Sequence, residues 1–370
     1  MKKTITIIAI VVLLGLGIAI FNKPVVPSNA NEIKLGSILI LSGEGASWGE
    51  ASKNGIDLAV EDINKAGGIN GKRFRVIHED NMSDPKKAIS AFQKLTDTDG
   101  VKFIIGPNWS NSGLPLVDIV KEKKVVMVSP SLGLKEFNES NEYLFNTWPH
   151  DNILSRNLAD YVYKKGYRNI ALLGGQDVWV KDQTKNFSER FIELGGKIAI
   201  TYEPKTDEKD VRTDILKIKA DKSIDAVVLT AGGYSLIDVE AEQIRGLGIK
   251  LPMFSITIDK KLITNCKGAC DGMTFLTFLT PTSEFEKKYQ DKFNREVEIG
   301  ADSAYDAVMM IADAMKKSGT TDPQAVSKVM SEVKSYNGAS GALSSDGKRA
   351  FTKPYLIKKV IGSVPVTITE

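Results

Sequence analysis

Apolar positions along the chain switch between two periods. Lys34 to Leu41 is a short apolar run that reads as a strand. After a Ser-Gly loop, Ile56, Ala59, Val60 and Ile63 fall at i, i+3, i+4 and i+7, with Asp57, Glu61, Asp62 and Lys65 elsewhere, which predicts a helix laid on a sheet. Gly67-Gly68 suits the left-handed end of that helix, and Asn70-Gly71 turns the chain into a strand from Arg73 to Glu79. Strand, loop, helix and strand make one βαβ unit.

The same alternation continues. Asp84-Pro85 caps and opens a helix with the stripe Ala88, Ala91, Phe92 and Leu95. The strand Val101 to Ile105 ends in GPNWSNSG, a helix carries Leu114, Val117 and Val120, and the strand Val125 to Val128 ends in SPSLG. At FNTWPHD (residues 145–151) the pattern restarts. A helix with Ile153, Leu154, Leu158 and Val162 leads to the strand Asn169 to Leu173 and the loop GGQDVWVKD. A helix with Phe187, Phe191 and Leu194 follows, then a strand Lys197 to Tyr202, a helix near Asp210 to Asp221, the strand Ile224 to Thr230, the loop AGGYS, another helix and the strand Pro252 to Thr257. Two helices, Ser283 to Arg295 and Ala301 to Lys317, have no strand between them and are expected to pack back on the first series; strand-like Tyr355 to Ile361 and Val364 to Thr369 close the chain. Alternating strands and helices predict an α/β protein with mostly parallel, doubly wound sheets, and two series predict two lobes.

In open α/β sheets ligands sit beyond the carboxyl ends of the strands. The loops there are small and polar and start helices, whose free N–H groups suit a carboxylate. The stretch LSGxxAxxG followed by GIDLAVEDINKAGGINGK, from Leu41 to Lys72, resembles the opening of periplasmic substrate-binding proteins of the branched-chain amino-acid type. The likeness extends in order and spacing from Glu32 to Thr369. It implies the type I periplasmic-binding fold, two Rossmann-like lobes joined by three crossing segments. TWPHD, LTPTS and SGALSSDGK are the candidate crossings, so residues 31–147 with 278–341 would form lobe one, and 148–277 with 342–370 lobe two.

Composition narrows the setting. A 370-residue chain with 42% hydrophobic residues can bury a sizeable core in each of two lobes. Three of the 49 basic residues, Lys2, Lys3 and Lys23, and none of the 46 acidic ones precede Asn31, so the remainder is neutral and nothing points to nucleic acid. The uncharged, mostly apolar run Ile5 to Phe21 after Lys2-Lys3 reads as an export signal or a retained anchor, with Ser28-Asn29-Ala30 a cleavage site; either way the body lies outside the cytoplasm. There the cysteines of NCKGAC, Cys266 and Cys270, form either a local disulfide or two free thiols.

No HExxH, GxSxG or P-loop is present, and neither His78 nor His150 has a nucleophile that spacing nominates, so no enzyme activity, cofactor or metal is expected. Trp48, Trp109 and Trp179 fall in loops after strands and Trp148 at the first crossing. The ordinary place for an indole is the core; three of them after strand ends instead suggest a cleft lined by Trp48, Trp109 and Trp179, with Tyr234 as a fourth wall.

The resemblance carries roles to particular positions. It implies that Ser110, beside Asn111, and the loop Ser131, Leu132 and Gly133 hold a ligand carboxylate, and that Trp179 and Tyr234 close from lobe two. The serines are equally read as helix caps. Gly133 stands where amino-acid binders usually carry a threonine, and Thr257 where they carry the acid for the ligand's ammonium; Asp259, two residues on, or Asp177 is the candidate replacement, against the plainer reading of solvated loop charges. The expectation is a monomeric binding protein that closes on a small organic ligand and hands it to the permease of an ABC importer. A membrane-tethered ligand sensor, or a hydrolase on the same fold, is the alternative.

Overall fold

Strand β1 (Glu32–Leu39) is buried along almost its whole length, as a strand covered on both faces must be. In the computed structural model, which describes residues 31–205, 207–230, 236–279 and 281–369, it sits inside a five-stranded sheet of order β2-β1-β3-β4-β5. Its partners are β2 (Arg73–Asp80), β3 (Phe103–Ile105), β4 (Val126–Ser129) and β5 (Leu144–Asn146), all in parallel pairs. Glu32 aligns with Arg73 and Leu39 with Asp80, so β1 and β2 run in register through the whole unit.

Helix α1 (Ala46–Lys65) buries Ile56, Ala59, Val60 and Ile63, the stripe its sequence announces. The helices between the remaining strands are α2 (Pro85–Gln93), the short α3 (Ser110–Gly113), α4 (Val117–Lys123) and α5 (Lys135–Glu139). The Asp84 side chain accepts from Lys87 N at 2.8 Å, the cap expected at Asp84-Pro85.

The second sheet has order β15-β14-β10-β9-β8-β6-β7. β6 (Asn169–Leu173), β7 (Lys197–Tyr202), β8 (Ala226–Leu229), β9 (Met253–Ile256) and β10 (Thr274–Phe278) pair in parallel, and the antiparallel hairpin β14 (Tyr355–Ile361) and β15 (Val364–Thr367) finishes one edge. Helices α6 (Asn152–Lys164), α7 (Val178–Glu193), α8 (Arg212–Ala220), α9 (Leu236–Gly246) and α10 (Lys260–Asn265) cover it.

After β10 the chain crosses back. α11 (Ser283–Phe293) lies on α1, where Asn54 Nδ2 donates to Tyr289 Oη at 3.0 Å and Lys288 pairs with Asp62. α12 (Ala301–Ser318) packs along α1 so closely that a Cβ on Gly55 would stand 2.0 Å from the Ala301 carbonyl oxygen; only glycine fits there. α13 (Pro323–Ser331) follows.

The last crossing differs from the expected one. Gly338 to Asp346, read from sequence as the return to the second lobe, instead belongs to a small antiparallel sheet of β11 (Ser335–Gly338), β12 (Gly341–Ser345) and β13 (Phe351–Thr352). That sheet stays with the first half of the molecule: Ala339 and Ser340 donate backbone N–H groups to Asp306 on α12, Arg349 bonds the Asn138 carbonyl, and Ala350 bridges to Asn146. The chain passes to the second sheet only at Lys353-Pro354, where the Pro354 carbonyl accepts from Leu279 N at 2.8 Å. The sequence boundary at residue 342 is therefore about eleven residues early, because glycines that look like a linker are hairpin turns.

The three crossings meet in one buried cluster. Trp148 from the first lies edge-to-face with Phe278 from the second, ring centroids 5.3 Å apart, and Lys353 from the third stands 5.4 Å over the Trp148 ring. Lys353 Nζ is 3.1 Å from Asp302 Oδ2, and both side chains are buried.

Candidate functional site

The carboxyl ends of both parallel sheets face one another, and the helices leaving them bring their first turns to the junction. Trp48 lies in the first turn of α1, Trp109 immediately precedes α3, and Trp179 is the second residue of α7; helix starts, rather than the loops expected from sequence, therefore hold two of these indoles. Together with Trp148 at the first crossing, all four tryptophans of the chain line one narrow cavity. Ser110, Ser131, Gly133, Asp151 and Thr257 complete its wall.

A buried asparagine fixes the first half of this wall. Asn108 accepts from Ile40 N at 3.1 Å and donates to Ser52 Oγ at 2.9 Å and Ser131 Oγ at 3.2 Å, while Ser131 Oγ donates to the Asn108 carbonyl at 3.0 Å. One amide thereby ties the loops after β1, β3 and β4 to α1. A satisfied buried network of this kind holds its members in one arrangement. Trp48 and Trp109 meet edge-to-face with centroids 6.0 Å apart at 80°, packed on Ile40.

Asp151 occupies the centre. Its Oδ1 accepts the Trp148 Nε1–H at 3.0 Å and its Oδ2 the Trp179 Nε1–H at 2.8 Å. Burial pushes its carboxyl up to about 7, outweighing the two indole hydrogen bonds that favour the ionised form, and the Asp182 charge adds to the rise. The carboxylate presses on Gly133, where a Cβ would stand 1.7 Å from Oδ2. The glycine at the expected threonine position thus has a cause: Asp151 fills the space a side chain would need. Between the four indoles remains a cavity of about 20 Å3, the size of a water molecule, so the two halves meet closely.

Two hydroxyls on this wall, Ser110 Oγ and Thr257 Oγ1, are buried without a hydrogen-bond partner among the described residues. A buried polar group left unpaired costs about 1–3 kcal/mol. Thr257 also holds a left-handed backbone, φ 46°, which is uncommon for a β-branched residue.

Other residues nominated from the sequence lie elsewhere. Asn111 turns its amide to Ser83, donating to Ser83 O at 2.9 Å and Ser83 Oγ at 3.0 Å. Leu132 is fully buried in the hydrophobic core beneath the loop, because consecutive residues of an extended segment face opposite ways. Asp259 caps α10, accepting from Leu262 N at 2.7 Å, and takes the Trp48 Nε1–H at 2.9 Å; it borders the cavity's outer rim rather than the space among the four indoles. Asp177 caps α7 by accepting from Trp179 N at 2.8 Å. Tyr234 lies outside the described residues. Cys266 and Cys270 bring their sulfurs to 2.02 Å at the end of α10.

Sequence reasoning left Trp148 and Asp151 out of the site. Their signal was the acid three residues after a tryptophan in TWPHD, a segment read only as a crossing. His150, in the same segment, bonds Asn138 Oδ1 at 2.8 Å, and His78 bonds Ser37 and Asp57; neither histidine lines the cavity.

The family model described as periplasmic binding protein matches residues 32–360. Among curated relatives, Leu/Ile/Val-binding protein homolog 2 of Brucella abortus (strain 2308) is 28% identical over 330 residues, covering 86% of this chain and 87% of the relative. The leucine-, isoleucine-, valine-, threonine- and alanine-binding protein of Pseudomonas aeruginosa is also 28% identical, over 334 residues, with 86% and 87% covered. Among solved structures, the substrate-binding protein of a Streptococcus pneumoniae branched-chain amino-acid transporter in complex with isoleucine superposes with TM-score 0.82 at 24% identity, covering 92% of this chain and all of that one. A solute-binding protein of an ABC transporter from Rhodopseudomonas palustris in complex with 3,4-dihydroxybenzoic acid gives 0.80 at 22%, covering 92% and 97%. At these identities the superpositions speak for the fold, the type I periplasmic-binding arrangement of two α/β halves. These relatives are named for binding, the solved structures as the binding components of transporters and none as an enzyme, and a match across 32–360 that takes in both sheets and the cavity between them means that the chain belongs to the periplasmic binding protein family.

Proposed function

We propose that the protein captures a small organic ligand, an amino acid or a related carboxylate, in the cavity between its two sheets and delivers it to the membrane permease of an ABC importer. The observation that carries this reading is the convergence of four indoles and two unpartnered hydroxyls where the carboxyl ends of both sheets meet. The two halves act as lobes hinged on the Trp148, Phe278 and Lys353 cluster. Parting moves Trp179 and Thr257 away from Trp48, Trp109 and Ser110; closing hides the ligand from water, where each polar contact counts for more. Ser110 and Thr257 hydroxyls meet the ligand's anionic end. A closed pair of lobes is the surface a permease distinguishes.

The family points to a place outside the cytoplasm. Ile5 to Phe21 serves as the export signal, and the transporter substrate-binding proteins among the solved structures reported above favour delivery over signalling.

Intrinsic tryptophan fluorescence provides the test, since ligand entry disturbs every indole the protein has. Trp109→Ala and Trp179→Ala are each expected to weaken binding of the best ligand from a panel of amino acids and aromatic acids by at least tenfold, about 1.4 kcal/mol, with folding retained by circular dichroism. Unchanged affinity in both would remove the cavity from consideration as the binding site.

A further inference from the structure

We propose that the ligand's positive end is a fully N-methylated ammonium, so that the substrate class is a betaine, a small quaternary-ammonium carboxylate, caged by the indoles of Trp48, Trp109 and Trp179 and neutralised by Asp151. This deepens the binding reading above and rests on it.

The carboxylate comes first. Asp151 is buried, and its hydrogen-bond donors among the described side chains are the neutral indoles of Trp148 and Trp179. No lysine, arginine or histidine pairs with it among the described residues. The nearby buried cation, Lys353, is committed to Asp302 at 3.1 Å. The other acid whose charge reaches Asp151 is Asp182 on α7, which makes the site more negative. A buried carboxylate without a countercharge is costly unless something cationic joins it. A positively charged ligand group supplies that partner.

The walls specify which cation. An apolar side chain is held as well by leucine or isoleucine as by tryptophan, whereas an indole face adds a negative quadrupole that attracts a cation, most strongly when desolvated. This chain places all its tryptophans at one cavity beside an unpaired acid. Hydrogen bonding then separates primary from methylated ammonium. A primary ammonium brings three N–H donors. Each Asp151 oxygen takes one indole N–H and keeps one lone pair, so the carboxylate meets two of those three donors, while the hydroxyls of Ser110 and Thr257 are committed as donors to a ligand carboxylate and leave the third unmet. A quaternary ammonium makes no demand for acceptors: it takes through-space charge from Asp151 and π contacts from Trp48, Trp109 and Trp179, the Trp148 ring already carrying Lys353. Entry requires the halves to part, because the indoles now enclose a space only of water size.

Calorimetric titration of the purified protein with glycine betaine, with its uncharged-end isostere 3,3-dimethylbutanoate and with leucine tests the assignment. Glycine betaine is expected to bind at least tenfold tighter than 3,3-dimethylbutanoate, which has the same shape and carboxylate but a carbon in place of the nitrogen. Asp151→Asn is expected to abolish that difference, weakening betaine at least tenfold and the isostere less than threefold. Trp109→Leu is the second variant, used if Asp151→Asn does not fold: it should weaken betaine more than the isostere, while Trp109→Phe, which keeps a π face, restores part of the loss. Equal affinity for betaine and isostere, or equal losses in the variants, overturns the cationic cage. Leucine binding that depends on Trp109 and Trp179, with no response to betaine, overturns this inference and leaves the broader binding reading standing; no probe sensitive to either tryptophan overturns both.

Discussion

The Trp48 indole, in the first turn of α1 after the first strand of one sheet, donates its Nε1–H at 2.9 Å to the Asp259 carboxylate, which caps α10 after β9 of the other. Residues 211 apart in the chain are joined across the junction of the two halves. The contact exists only while those halves are together, so its free energy belongs to closure and not to the folding of either one.

Trp48→Phe keeps a ring against Trp109 and Ile40 and removes the donor. A hydrogen bond to a charged group contributes about 1.5–3 kcal/mol when buried, less at this partly exposed rim. Ligand dissociation, followed by stopped-flow fluorescence, is expected to accelerate by roughly three- to tenfold while the melting temperature changes little. An off-rate equal to the parent's would show that this bond does not latch the halves.

Asp151 makes stability depend on pH in a defined direction. Its folded carboxyl titrates near 7 against a reference of 3.8. Between those values the unfolded chain has released the proton and the folded one retains it, so the contribution is fully present below about pH 4, falls as pH rises through the folded value and is level above it. In Asp151→Asn this slope disappears. The melting temperature of the variant minus that of the parent is expected to shift in the variant's favour between pH 4.5 and pH 7.5, by a few degrees. Asp306 and Asp177 are also raised by burial and contribute to both proteins alike, so the difference isolates Asp151 together with its coupling to Asp182. A difference that is flat across that range would place the Asp151 proton elsewhere.

Lys353 and Asp302 form the ion pair at the third crossing, with side chains 2% and 5% exposed. Removing one partner leaves the other charge buried, which costs about 3–5 kcal/mol. Lys353→Met is expected to lower the urea midpoint accordingly, and the double variant Lys353→Met, Asp302→Asn to recover most of the loss. Recovery failing in the double variant would mean that Lys353 stabilises through its packing on Trp148 instead of its charge.

The periodicity of apolar residues was enough to read the strands of both sheets except β5 and β10, and the longer helices between them, because a strand buried on both faces and a helix buried on one must each carry a local pattern. The opening unit from Leu41 to Asp80 carried the family likeness for the same reason: turn glycines, caps and the α1 stripe are set by residues a few positions apart. The last crossing was misplaced because the turns around Gly341 and Gly347 have the composition of a linker, and their pairing with Asn138, Asn146 and Asp306 is long-range.

Two α/β halves, a neutral body and three indoles after strand ends follow from local pattern and composition alone. Which residues share the cavity follows from the fold in three dimensions. It sent Leu132 into the core and Asn111 to Ser83, made Asp259 a cap at the rim, and set Asp151 between Trp148 and Trp179. The reason is that a side chain's direction at a loop or crossing depends on backbone angles and on neighbours far away in the chain, neither of which leaves a period to read. An acid that looks like any loop charge becomes the centre of the site when folding removes it from water and aims two indole N–H groups at it.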